Sequence, residues 1–89
     1  RRELNHIINM STTILFFGVA TDLAACNSTQ MEIPANSSIA DFKVLLLSKF
    51  PQLTKMSSYA VAINETYATN TSIIKTNDVI AIIPPVSGG

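Results

Sequence analysis

The sequence predicts an α+β fold in which a mixed sheet packs against one long helix. Short β-branched, aromatic or apolar runs at Thr12–Phe17, Thr29–Ile33, Tyr59–Ile63 and Val79–Ile83 read as strands. Between them Ile39, Phe42, Leu46 and Phe50 recur at helical spacing along one face. The chain has 89 residues, 47% hydrophobic and 13% charged, which suits one domain with a packed core rather than a disordered segment.

The first strand, TTILFF, stops at Gly18, and Val19–Ala25 holds enough helix formers for a short helix. Thr29–Ile33 alternates in the strand manner and stops at Pro34. Ser38 stands three residues before Asp41, the spacing of a capping box, so the long helix starts there, and Pro51 ends it. A polar loop is expected next, then the strand Tyr59–Ile63 and a turn at Asn64-Glu65-Thr66. A short strand or bridge is expected near Ile73. A turn follows at Thr76-Asn77-Asp78, where Asn accepts a left-handed backbone. Val79–Ile83 is the last strand. This order fits a ubiquitin-like β-grasp, with the first strand lying centrally beside the last. Residues 1–10 are expected to be an N-terminal extension, with Met10 the natural start, residues 11–83 the β-grasp domain, and residues 84–89 an extended, flexible functional tail.

Six basic and six acidic residues cancel, and Lys43, Lys49, Lys55 and Lys75 are scattered, which disfavours nucleic-acid binding. The apolar stretches are far shorter than the roughly 20 residues a spanning helix needs, so no membrane segment is expected. The single Cys26 fits a reducing compartment, and the expected location is the cytoplasm. With no basic residue or His beside it, Cys26 is given no role. Glycosylation patterns begin at Asn27, Asn36, Asn64 and Asn70, but they matter only on a secreted chain and are read as chance matches.

The chemistry is expected in Pro84-Pro85-Val86-Ser87-Gly88-Gly89. The prolines lack amide donors and hold an extended backbone, so the ladder ends and the rest projects as an arm. Ser87, Gly88 and Gly89 have almost no side chain, which lets such an arm enter a narrow channel and leaves the Gly89 carboxylate open to reagents. A carboxylate is a poor acyl donor until activated, so condensation with ATP to an acyl-adenylate and attack by a sulfur nucleophile are expected, giving a thiocarboxylate. The sequence has no glycine-rich phosphate loop, no evident acid–base pair, and a single His, His6. A separate enzyme must therefore perform the activation.

Ile14-Leu15-Phe16-Phe17-Gly18 and Asn77-Asp78-Val79 through Pro84-Pro85-Val86-Ser87-Gly88-Gly89 resemble the small, sulfur-carrying subunit of molybdopterin synthase, over nearly all of Thr12–Gly89. The family usually has a Gly-Asp-Glu turn where this chain has Asn77-Asp78-Val79, and Arg-Glu-Leu where it has Thr21-Asp22-Leu23. The resemblance implies a cycle in which an E1-like adenylating enzyme activates Gly89 and a sulfurtransferase or other donor supplies sulfur. The large synthase subunit then receives the tail and passes the sulfur to cyclic pyranopterin monophosphate. It also implies a heterotetramer, no cofactor bound by this chain, ATP used by the activating enzyme, and no activity of this subunit alone. Strand alternation puts apolar groups on both sheet faces, and Leu15, Phe17, Ile80 and Ile82 are the expected docking residues for the large subunit and the activating enzyme. The alternatives are a sulfur carrier for thiazole or cysteine biosynthesis, a ubiquitin-like protein modifier, and an interaction domain without covalent chemistry.

Overall fold

A computed structural model describes residues 9–85. The elements run β1 (Asn9–Phe16), α1 (Val19–Ala24), β2 (Ser28–Pro34), α2 (Ile39–Lys49), a 3-10 helix (Pro51–Lys55), β3 (Ala60–Ile63), β4 (Thr66–Tyr67) and β5 (Val79–Ile83). They form a five-stranded sheet in the order β2-β1-β5-β3-β4. β1 and β5 are parallel, and every other pairing is antiparallel. The predicted mixed sheet, with first and last strands side by side at its centre, is thus the β-grasp arrangement.

Local chemistry accounts for the element ends. At the start of α2 the Ser38 hydroxyl accepts the Asp41 amide at 3.1 Å, and the Asp41 carboxylate accepts the Ser38 amide at 3.4 Å, closing the capping box. Ile39, Phe42 and Leu46 face inward from this helix with no more than 1% exposure. They meet Ile14 and Phe16 of β1, Ile33 of β2, Val61 of β3 and Ile80 and Ile82 of β5 in one core. Each such side chain contributes on the order of 1.5–3 kcal/mol on leaving water. The Phe50 ring meets the edge of Phe16 at 5.2 Å between centroids.

Several expectations need correction. The sheet begins at Asn9, inside the expected extension, because β2 reaches Pro34 and pairs Asn9 with Pro34 and Met10 with Ile33. Met10 is buried in the core. The expected polar loop after Pro51 is the 3-10 helix, held down by the fully buried Leu53. The short strand or bridge expected near Ile73 is found as a bridge, to Ser38, whereas β4 at Thr66–Tyr67 was not expected and takes Thr66 out of the expected turn. Residues 1–8 lie outside the described residues.

Candidate functional site

The parallel pairing of β5 with β1 delivers the chain to the end of the sheet where β1 finishes. The last rung is the Phe17 amide donating to the Ile82 carbonyl at 3.2 Å. Pro84, with no amide hydrogen, cannot extend it. Its ring sits against Gly18, whose φ is +54°; a Cβ on Gly18 would stand 2.9 Å from Pro84 Cγ. Glycine therefore serves two needs there, the left-handed backbone and the room for the ring. The Thr21 hydroxyl bonds the Phe16 carbonyl at 3.0 Å, fixing α1 to the same corner. Pro84 is half-buried and Pro85 exposed. Val86, Ser87, Gly88 and Gly89, the remainder of the predicted tail, lie outside the described residues.

Beside this exit the sheet turns an apolar face away from α2. Cross-strand register aligns Leu15, Ala81, Ala62 and Tyr67 in one row. The two central alanines leave a hollow between the larger side chains, and Phe17 and Ile83 bound it at the exit end. Val79, Asn64 and Glu65 bound the other end of this groove, whose volume is about 540 Å³. Phe17 is 48% exposed and Tyr67 72%.

Two of the expected docking residues are misplaced. Leu15 and Phe17 belong to this open face, but Ile80 and Ile82 are 0% exposed on the opposite one. The cause is register: Ile80 pairs with Ile14 and Ile82 with Phe16, and paired residues share a face. Val79, Ala81 and Ile83 take the open side instead. Alternation offered both parities, and the presence of alanine within an apolar strand was the available signal of a shallow position.

The far end of the groove is clasped by side-chain bonds. Asn64 Oδ1 accepts the Val79 amide at 2.9 Å and Asn64 Nδ2 donates to Asp78 Oδ1 at 2.8 Å. Asp78 Oδ2 in turn accepts the Lys75 amide at 2.8 Å. Among the described residues no group of His, Cys, Asp or Glu is placed to hold a metal ion. Cys26 is half-buried. No helix of the structure is long and apolar enough to cross a membrane.

This architecture defines a ubiquitin-like β-grasp protein. The sequence profile of the ThiS family matches residues 14–89. The molybdopterin synthase sulfur carrier subunit of Arabidopsis thaliana is 36% identical over 98% of this chain and 92% of its own length. The chain belongs to the ThiS family and, within the β-grasp proteins, to the molybdopterin synthase sulfur carrier subunits. Among solved structures, small archaeal modifier protein 1 of Haloferax volcanii superposes with a TM-score of 0.78 at 20% identity, covering 89% of this chain and 99% of the other. A chain in the complex of subunits 1 and 2 of the molybdopterin-converting factor from Helicobacter pylori gives a TM-score of 0.65 at 23% identity over 90% of this chain and 100% of the other. At these identities the structures report the shared fold.

Proposed function

We propose that this chain is the sulfur carrier subunit of a molybdopterin synthase and that the Gly89 carboxyl group carries the sulfur. The observation that carries the reading is the exit of β5 into Pro84-Pro85 beside an open apolar face, in a chain whose family match runs through Gly89. Gly89 is first activated by an E1-like enzyme: a carboxylate oxygen attacks the α-phosphorus of ATP and pyrophosphate leaves. The terminal sulfur of a donor persulfide then attacks the acyl carbon and AMP leaves; a thiol cleaves the resulting acyl disulfide, carrying the donor's sulfur away as a mixed disulfide, and Gly89 is left as a thiocarboxylate. The large subunit receives Val86, Ser87, Gly88 and Gly89, and the thiocarboxylate sulfur attacks a side-chain carbon of the pyranopterin precursor, whose carbon–oxygen bond breaks with the electron pair going to the departing oxygen. Water cleaves the acyl–sulfur bond and restores the carboxylate. This subunit supplies the sulfur and no acid–base group, and it works in the cytoplasm within a heterotetramer.

Leu15 and Phe17, together with Ala81 and Ile83, are proposed to dock the large subunit and the activating enzyme in turn. The decisive test mixes the Gly89 thiocarboxylate form with a large synthase subunit and cyclic pyranopterin monophosphate and assays the dithiolene. Sulfur-dependent product is expected. No product from an intact thiocarboxylate and a competent large subunit would transfer the chain to another sulfur-carrying pathway.

A further inference from the structure

The two-residue connection between β3 and β4 is Asn64-Glu65, with φ of 50° and 73°. A hairpin loop with both central residues at positive φ strongly prefers Asn-Gly, because glycine alone takes the second position without a Cβ clash. Asn64 has its reason in the clasp to Val79 and Asp78. Glu65 has none of that kind: it is exposed and holds a disfavoured backbone at the rim of the apolar groove. Among the described residues lining that groove it is the one charged side chain, and neither Lys nor Arg lines it. Backbone strain retained at a binding surface is a pointer to function.

We propose that Glu65 is a partner-specificity residue, its carboxylate receiving a basic side chain of the synthase large subunit at the groove's far end while an apolar side chain of that subunit fills the hollow over Ala62 and Ala81. The inference rests on the reading that the open face docks the large subunit. A pair at a wet rim steers encounter and rejects wrong partners more than it holds the complex together. Its signature is therefore in association rate and salt dependence, while the apolar hollow governs dissociation.

Association of the intact chain with the large subunit encoded by the same organism tests this, by stopped-flow at low ionic strength and in about 1 M salt, where the Debye length is about 3 Å. Glu65→Gln should slow association about 3- to 10-fold at low salt and Glu65→Lys more, with the differences vanishing at high salt and dissociation nearly unchanged. Glu65→Gly should melt at a temperature equal to or above the parent's yet show the loss seen in Glu65→Gln, which separates the charge from the fold. Phe17→Ala, read in parallel, should speed dissociation. If Phe17→Ala binds like the parent, the docking reading fails and the inference with it. If Phe17→Ala weakens binding but the Glu65 variants associate like the parent at every salt concentration, docking stands and the role of Glu65 is overturned. An effect confined to the activating enzyme would also overturn the assignment to the large subunit.

Discussion

Ala81 and Ile82 are adjacent in β5 and face opposite worlds, one in the floor of an open groove and the other sealed in the core. Replacing Ile82 with alanine should cost about 2–5 kcal/mol, the range for a large buried aliphatic side chain, read as a lower urea midpoint. Phe17→Ala, at a position 48% exposed, should move the midpoint little and instead weaken the complex with the large subunit. Equal midpoint losses in the two variants would contradict this division of faces. The sequence showed that neighbours in each strand oppose one another, but not which parity of β5 joins which parity of β1. That depends on pairing Thr13 with Val79 across more than sixty intervening residues, and β5 is apolar on both faces, so its own pattern favours neither parity. Asn77, with φ 72°, was legible because asparagine tolerates the left-handed region; Glu65 at 73° was not, since its conformation comes from the hairpin around it.

At the level of the element, α2 depends on its first turn. The Ser38 side chain satisfies an amide that the helix itself leaves unpaired, and the Asp41 carboxylate returns the bond. Ser38→Ala should therefore destabilise the protein by about 1 kcal/mol, measured by thermal or urea unfolding. Asp41→Ala should cost less, since the serine cap survives it. An unchanged midpoint in Ser38→Ala would mean that solvent replaces the cap without loss. Capping spacing and helical periodicity made this helix readable from sequence. The 3-10 helix was not, because PQLTK carries only Leu53 into the core and otherwise has the polarity of a loop. β4 escaped for a related reason: two exposed residues contain no alternation to detect, and the strand exists because the turn before it folds the chain back onto β3.

At the scale of the whole molecule, stability is linked to pH through Tyr59, half-buried against the core beneath Lys43, whose Nζ lies 5.5 Å from the ring centroid. Burial raises the tyrosine pKa because the phenolate is poorly solvated there. The unfolded chain ionises first, at about pH 10, so this contribution to stability is complete below that pH and is lost as pH rises towards the folded-state value. Tyr59→Phe should flatten the alkaline limb of a stability profile; an identical limb in the variant would assign it to other groups. The overall topology was readable from element order, whereas the composition of the open face needed the assembled sheet. The same assembly has a mechanical consequence. Since β1 and β5 run parallel, a pull on Pro85 against the beginning of β1 is directed along both strands in opposite senses. Their rungs then resist together, in shear, instead of opening one after another like a zipper. A partner that draws the arm into a channel thus tugs along the direction in which this sheet yields last, so force on the arm is borne by the whole central seam.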